Sequence, residues 1–339
     1  MSHPPQTRRL VNVLDDFNLG GVSRALAVFD SPAVAALVAA EVRAVHPEAL
    51  VAPRIDADIL VLHFPPNWRR LAWVASLRWR NPGVRLVWVE HSYTGAWEAR
   101  KVHAPARFHA MLRLAYRMAD RVVCVSEGQA AWLRRVTGLG GSAVSVIHPY
   151  VANPGLGALD LPRGDGPLRI GAYGRFCEQK GFDQLIRAHR AGAMPGTQLR
   201  IGGFGPDAPA LHALAGGDPA ITFTGQVTDV AAFLSQCDVV AVPSRWEAYG
   251  MVANEAREAG RPILVAPVDG LPEQVGAAGM VVDFADGDAV RAAVDRLRAA
   301  DLAAMGHAGR LSTLDCGAAR QAQWAALIAS LAGAMSRAA

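Results

Sequence analysis

The chain has 339 residues, of which 51% are hydrophobic and 19% are charged. This composition excludes a disordered chain, and one hydrophobic core rarely serves more than roughly 250–300 residues, so two domains are expected. The formal net charge of +4 is uneven, because residues 1–150 hold 18 arginines and lysines against 11 acidic residues. A basic first half predicts an anionic partner, either a phosphate-bearing substrate or an anionic membrane surface.

No apolar run approaches the roughly 18 residues of a membrane span, and the N-terminus lacks the apolar core of a signal peptide. The four cysteines have neither metal-binding spacing nor a disulfide pattern, which indicates buried free thiols: Cys124, Cys177, Cys237 and Cys316. We therefore expect a cytoplasmic protein.

Short apolar runs alternate with stretches of helical periodicity in the first half of the chain. The apolar runs predict strands at residues 10–14, 59–63, 86–90, 121–125 and 144–147. The stretches with helical periodicity include residues 33–45, 71–79 and 105–119. Continuous apolar runs bounded by helices are typical of buried parallel strands, so the pattern predicts an α/β doubly wound domain.

Glycine and proline concentrate at residues 153–167, which predicts an interdomain linker. A second series of apolar runs follows, at residues 168–172, 198–201, 221–223, 239–242, 263–266 and 279–282. We predict a first domain at 1–152 and a second at 168–339, whose alanine-rich last helix can pack back on the first. Parallel sheets bind ligands at the carboxyl ends of their strands, so we expect the two domains to share a cleft.

Paired glycines, Gly20 and Gly21, follow the first predicted strand and precede a helix. Such glycines let the backbone approach a phosphate, and the helix N-terminus offers unpaired N–H groups. A tight turn without a ligand remains the alternative.

A pair of cations, Arg175 and Lys180, lies across the predicted turn between a strand and a helix in the second domain. Arginine binds a diphosphate as a fork and lysine as a point charge. The alternative is a solvated basic pair, but cations at a helix N-terminus are unfavourable unless an anion compensates them. The spacing therefore favours a diphosphate site.

Two glutamates, Glu247 and Glu255, lie eight positions apart around a glycine turn and the start of a helix. Carboxylates accept hydrogen bonds from vicinal hydroxyls, which both a ribose and a hexose present. The alternative is a carboxylate that pairs with the helix dipole plus a surface carboxylate.

Taken in order, these segments resemble the retaining glycosyltransferases of family 4, also called group 1 glycosyl transferases. The resemblance implies the GT-B fold, which consists of two Rossmann-like domains facing across a cleft. It runs along nearly the whole chain through residues 10–26, 122–127, 146–150, 174–181, 203–206, 247–255, 259–263, 271–275 and 279–282.

By this resemblance, Arg175 and Lys180 hold the diphosphate of a nucleotide sugar. Glu255 then binds the ribose and Glu247 the transferred sugar, while Gly205 lies in a glycine–proline turn of the donor site. Gly20 and Gly21 complete the donor site from the first domain.

Further implied contacts come from the backbone N–H groups of Tyr249, Gly250 and Met251, which would meet sugar hydroxyls or phosphates. His91 lies where the family places a reaction-centre histidine, and His63 is a second candidate. Tyr249 itself stands where phenylalanine is usual.

One further departure is Arg257, which stands where an apolar residue is usual, so different helix packing is expected there.

The resemblance implies a hexosyltransferase that moves a sugar, with retention, from a nucleotide diphosphate sugar to a hydroxyl of a glycan or lipid-linked acceptor. A role in cell-surface polysaccharide biosynthesis is expected, with a UDP-sugar rather than a GDP-sugar as donor and with no metal or further cofactor. The alternatives are a GT-B nucleotide-sugar epimerase and a catalytically silent nucleotide-sugar-binding partner of an assembly complex.

Three other patterns in the sequence would indicate a dinucleotide site, a calcium loop or a membrane contact. Residues 203–208 fit a dinucleotide fingerprint but lie in the wrong βα unit, and residues 283–288 lack the glutamate of a calcium loop. Tryptophan and arginine alternate at residues 68–80, which fits either ordinary packing or peripheral contact with the inner face of an anionic membrane. No nucleic-acid-binding motif accompanies the charge.

Overall fold

The computed structural model of the chain describes residues 8–15, 25–47, 49–164 and 166–336. The chain divides into a first unit, Met1–Val151 with Gly317–Ala339, and a second unit, Ala152–Cys316. Each unit is built around a six-stranded sheet in which every pairing is parallel. The predicted α/β architecture is confirmed.

The first sheet has the strand order β2-β1-β3-β4-β5-β6. Its strands are β1 (Arg8–Leu14), β2 (Val38–Ala44), β3 (Ile59–Leu62), β4 (Arg85–Glu90), β5 (Arg121–Cys124) and β6 (Val144–Val146). The winding direction reverses between β1 and β3, and open α/β sheets bind ligands at the carboxyl ends of the strands at such a switch point.

The helix predicted at residues 33–45 is wrong. Only a short helix, α1 (Pro32–Ala35), forms there, and the following residues make the edge strand β2, which pairs with β1 along its full length. The alanines and Glu41 of this segment have helical propensity, but pairing with β1 overrides it.

The remaining helices of the first sheet are α2 (Trp68–Arg80), α3 (Gly95–Lys101), α4 (Pro105–Arg117) and α5 (Glu127–Thr137). Three of them begin at a polar cap whose side-chain oxygen accepts a backbone N–H: Asn67 from Arg70, Thr94 from Trp97 and Ser126 from Gln129. Trp73, Trp88 and Tyr116 are among the largest fully buried side chains of the first core.

The second sheet has the order β12-β11-β10-β7-β8-β9, and its switch point lies between β7 and β10. Its strands are β7 (Leu168–Arg175), β8 (Thr197–Phe204), β9 (Ile221–Gly225), β10 (Val239–Val242), β11 (Ile263–Val265) and β12 (Gly279–Val281). Its helices are α6 (Phe182–Arg190), α7 (Ala208–Ala215), α8 (Val230–Ser235), α9 (Met251–Glu258), α10 (Gly287–Ala299) and α11 (Leu302–Leu311).

The segment predicted as a linker, residues 153–167, is tied to the second unit. Arg261 donates a hydrogen bond to the carbonyl oxygen of Asp160 (2.6 Å), and Arg310 donates one to that of Leu159 (2.6 Å).

The last helix, α12 (Cys316–Ser336), belongs to the first unit from Gly317 onward. Arg320 donates hydrogen bonds of 2.7 Å to the carbonyl oxygens of Tyr150 and Ala25, and the rings of Trp324 and Phe29 lie 4.8 Å apart. Within the described residues, no helix combines the length and apolar character that crossing a membrane requires.

Candidate active site

The turn that follows β7 packs closely against the backbone at the end of β10. Gly181 has a left-handed backbone (φ 64°), and a Cβ at this position would lie 2.0 Å from the carbonyl oxygen of Pro243. Only glycine allows this approach, because any side chain would collide with rigid backbone. The sequence Lys180-Gly181 therefore brings the start of α6 to the switch point of the second sheet.

Hydrogen bonds join the loop after β7 to the loop after β10. The Arg245 backbone N–H donates to the carbonyl oxygen of Gln179 (2.7 Å), and the Gln179 side chain donates to that of Trp246 (3.2 Å). The Arg245 guanidinium also donates to both carboxylate oxygens of Asp183, each at 2.7 Å. These bonds fix two loops that carry predicted site residues.

Lys180 and Glu247 meet at this junction. The Lys180 ammonium donates a hydrogen bond to Oε2 of Glu247, and the Ser244 hydroxyl donates to the same oxygen at 3.1 Å. The Glu247 backbone N–H donates to Oδ2 of Asp269 (3.1 Å), whose own backbone has a positive φ of 46°. The side chains of Lys180 and Glu247 keep 22% and 12% of their surface exposed, so a ligand can reach the pair.

Glu255 lies on α9 and is 3% exposed. The hydroxyl of Tyr173, near the carboxyl end of β7, donates a 2.6 Å hydrogen bond to Oε2 of Glu255. This bond from β7 fixes the orientation of the Glu255 carboxylate. Because β7 and β10 are neighbours, both predicted glutamates belong to the same edge of the sheet.

Arg175 is the last residue of β7 and its side chain is exposed. Within the described part of the chain its guanidinium makes no hydrogen bond or ion pair, so this group is available to a ligand. Gly205, just beyond β8, has a φ of 153°, and a Cβ there would lie 2.3 Å from the carbonyl oxygen of Phe176. Gly205 thus allows the loops after β7 and β8 to touch.

The start of α9 also depends on a glycine. Gly250 has a φ of 97°, and a Cβ there would lie 2.5 Å from the side chain of Leu271 and 3.2 Å from that of Glu247. The Gln274 amide donates to the carbonyl oxygen of Tyr249 (2.5 Å), which fixes the turn. The first N–H groups of a helix attract anions, and of those in the first turn here, Ala253 and Asn254 donate to the carbonyl oxygen of Gly250.

The two departures from the family pattern contact each other. Burial raises the pKa of Tyr249 to about 12, and a hydrogen bond with Arg257 offsets part of this rise. The Arg257 guanidinium is buried and donates to Asn254, Gln274 and Ser312. Arg257 therefore packs α9 through hydrogen bonds where an apolar side chain would pack by contact alone.

The predicted histidines of the first unit form a cluster at the switch point of the first sheet. Nδ1 of His63 lies 3.1 Å from Nε2 of His91, and Nε2 of His63 lies 2.9 Å from Oδ1 of Asn12. Burial is the main cause that lowers the pKa of His63 well below its usual value, followed by His91 and Arg320. Burial, then Arg320, lowers the pKa of His91 to about 4.

A buried acid holds the loop that carries His91. Oε1 of Glu90 accepts hydrogen bonds from the backbone N–H groups of Ser92 (2.6 Å) and Tyr93 (2.8 Å), and its Oε2 accepts one from the Tyr116 hydroxyl. Burial raises the pKa of Glu90, and these hydrogen bonds offset part of the rise.

The paired glycines Gly20 and Gly21 lie outside the described residues. Their predicted role in the donor site stays a prediction.

The comparisons with known proteins agree with this architecture. The family model "Glycosyl transferases group 1" matches residues 167–300, and the model "Glycosyltransferase Family 4" matches residues 30–152. Sucrose-phosphate synthase from Thermosynechococcus elongatus is 25% identical, with a TM-score of 0.65 over 82% of this chain and 74% of that chain. HepE from Anabaena, in complex with UDP, is 17% identical, with a TM-score of 0.70 over 95% of this chain and 100% of that chain.

The chain has the GT-B fold and carries two glycosyltransferase domains. Among curated relatives, the D-inositol 3-phosphate glycosyltransferase of Mycolicibacterium vanbaalenii is 31% identical over 250 residues, which is 64% of this chain and 54% of that protein. This chain thus aligns with about half the length of such relatives.

Some residues that contact the predicted site residues within each unit were not predicted from the sequence. Asn12 is a polar residue within the apolar run of β1, and this interruption was a signal that could have been used. Tyr173, Asp269 and Arg320 carried no such signal, because each reaches the site only through tertiary packing.

Proposed function

We propose that this chain transfers a sugar from a nucleotide diphosphate sugar to a hydroxyl group of an anionic acceptor, with retention at the anomeric carbon. The arrangement of Lys180, Glu247 and the exposed Arg175 at the switch point of the second sheet carries this proposal. It combines two cations suited to a diphosphate with carboxylates suited to hydroxyls.

The proposed donor contacts follow from these geometries. An ammonium group has three N–H donors, so Lys180 can keep its bond to Glu247 and donate to a phosphate oxygen at the same time. Arg175 would add a forked contact from the end of β7, and the N-terminus of α9 would add its dipole. Glu255, oriented by Tyr173, would accept a hydrogen bond from the ribose.

Catalysis would rest on stabilising the leaving group. Breaking the bond to the anomeric carbon places negative charge on the departing diphosphate, which Arg175 and Lys180 would stabilise. We assign no protein nucleophile: the acceptor hydroxyl would attack on the face that the diphosphate leaves, and its proton would pass to an oxygen of the departing diphosphate. The Glu247 carboxylate is held by Lys180 and Ser244, which suits hydroxyl binding better than attack on carbon. His91 would contribute a hydrogen bond to a substrate hydroxyl.

The substrate classes are part of the proposal. A UDP-sugar is favoured as donor because the structurally similar HepE is described in complex with UDP. An anionic acceptor is favoured by the basic first half of the chain and by a relative named for D-inositol 3-phosphate. A phosphate-bearing glycan or lipid-linked acceptor of cell-surface polysaccharide synthesis has this chemistry, and no metal or further cofactor is required in this scheme.

The test is an assay of the purified chain with a panel of UDP- and GDP-sugars and phosphorylated acceptors, with products identified by mass spectrometry and NMR. We expect an acceptor-dependent product with the donor's anomeric configuration. An inverted product would contradict the mechanism. Conversion of the donor without any acceptor would indicate an epimerase, and binding without any turnover would indicate a silent partner.

A further inference from the structure

The hydrogen bonds around His91 cross three neighbouring strands at one edge of the first sheet. Asn12 lies in β1, His63 follows β3 and His91 follows β4, and these strands are adjacent in the sheet order. His63 is held at its place because its backbone N–H continues the ladder by donating to the carbonyl oxygen of Val13 (3.0 Å). The three side chains therefore form a row that the backbone fixes.

The chemistry of each partner sets the position of each proton. The amide oxygen of Asn12 can only accept, so Nε2 of His63, 2.9 Å away, must carry the proton. A neutral imidazole has one donor and one acceptor, so Nδ1 of His63 accepts. Nε2 of His91, 3.1 Å away, must then be the donor.

Both imidazoles are held neutral by their surroundings. Burial lowers the pKa of each ring, and the nearby guanidinium of Arg320 adds to this effect. Arg320 is itself 9% exposed and fixed by the carbonyl oxygens of Tyr150 and Ala25. A proton on either ring would face this positive charge.

One lone pair is left over by this arrangement. Nδ1 of His91 has no hydrogen-bond partner among the residues that the structure describes. An unprotonated ring nitrogen accepts hydrogen bonds from hydroxyl or N–H groups and repels carboxylate and phosphate oxygens.

We propose that Asn12 and His63 are positioning residues that hold His91 in the Nε2-protonated tautomer, so that Nδ1 of His91 accepts a hydrogen bond from a substrate hydroxyl. The identity of that hydroxyl as part of a sugar donor or acceptor rests on the proposed transferase function. The tautomer assignment itself does not.

The direct test is NMR of the full chain labelled with ¹⁵N-histidine at neutral pH, without substrate. Signals of His63 and His91 are assigned by their loss in His63→Asn and His91→Gln. We expect both rings to be protonated at Nε2 only, with a scalar coupling across the hydrogen bond from Nε2 of His91 to Nδ1 of His63. A proton on Nδ1 of either ring would overturn the assignment.

A kinetic series then tests the positioning role. His63→Asn keeps an acceptor close to the place of Nδ1, whereas His63→Leu removes it. We expect His63→Leu to mix the tautomers of His91 and to lower kcat about tenfold with little change in the donor KM, and His63→Asn to recover most of that loss.

The matched control is His109→Gln. His109 lies in the same domain but is bonded to Glu98, so this variant should leave the His91 signals unchanged. If His63→Leu also leaves those signals and kcat unchanged, the positioning role is refuted. Absence of transfer by the unmodified chain contradicts the proposed function alone, because the NMR signals are measured without substrate.

Discussion

Both six-stranded sheets are parallel and reverse their winding direction once, but the side chains at the two switch points differ in chemical character. In the second sheet, charged side chains dominate: Lys180 contacts Glu247, Arg245 contacts Asp183 and Arg175 is exposed. In the first sheet, the corresponding place holds an amide and two imidazoles whose pKa values are lowered by burial. We call the residues Arg175, Lys180 and Glu247 of the second sheet the charged edge, which suits phosphates. We call the cluster of Asn12, His63 and His91 in the first sheet the neutral edge, which suits hydroxyl groups.

The largest effect is expected when a cation of the charged edge is removed. In the proposed mechanism, Lys180→Ala removes a cation that stabilises the negative charge on the leaving group, and we expect turnover to fall about 10²- to 10³-fold. Steady-state kinetics with the best donor found in the assay measures this loss, and circular dichroism checks the fold.

Lys101→Ala is the matched control, since Lys101 is the chain's other lysine and is exposed on α3 of the first domain. Near-normal turnover by Lys180→Ala would remove Lys180 from the site.

A smaller effect is expected when Glu255, whose carboxylate Tyr173 orients, loses its charge. Glu255→Gln keeps the shape of the side chain but removes its charge, and hydrogen bonds to charged groups contribute about 1.5–3 kcal/mol. We expect kcat/KM for the donor to fall about 10- to 100-fold, mainly through KM. Tyr173→Phe should cause a smaller loss in the same direction, and unchanged kinetics in Glu255→Gln would contradict ribose binding by this residue.

The last expected effect concerns the stability of the neutral edge and not turnover. The pKa of His91 is lowered from 6.5 to about 4 in the folded chain. The unfolded chain therefore binds more protons between these values, and stability present above pH 6.5 should be lost as the pH falls toward 4. The shift corresponds to roughly 3 kcal/mol at most.

Denaturant unfolding between pH 7 and pH 4 measures this dependence. His91→Gln should make the free energy of unfolding depend less steeply on pH than it does in the unmodified chain. Equal slopes for the two proteins would show that the folded chain does not lower the pKa of His91.

The contrast also explains what the sequence could predict. The charged edge depends on local patterns: a strand, a turn with two cations and a glycine, and a helix that begins between two glutamates. Glycine spacing fixes these loops, so the segments that carry Lys180, Glu247 and Glu255 could be recognised before the structure was known. The buried parallel strands could also be predicted, because their sequences are continuous apolar runs.

The neutral edge depends on contacts between distant parts of the chain. Arg320 lies on the last helix, 295 positions from Ala25, whose carbonyl oxygen it contacts. No local pattern indicates such a contact, and the same is true of Asp269 beneath Glu247. Strand β2 was missed for a related reason, since its pairing with β1 outweighs its helical propensity.

A crystal structure of the chain with a UDP-sugar tests the central claim most directly. The account predicts the diphosphate within hydrogen-bonding distance of both Arg175 and Lys180 at the carboxyl ends of β7 and β10, with the ribose on Glu255 and the sugar on Glu247. A diphosphate bound elsewhere, with Arg175 and Lys180 both free of it, would contradict the account.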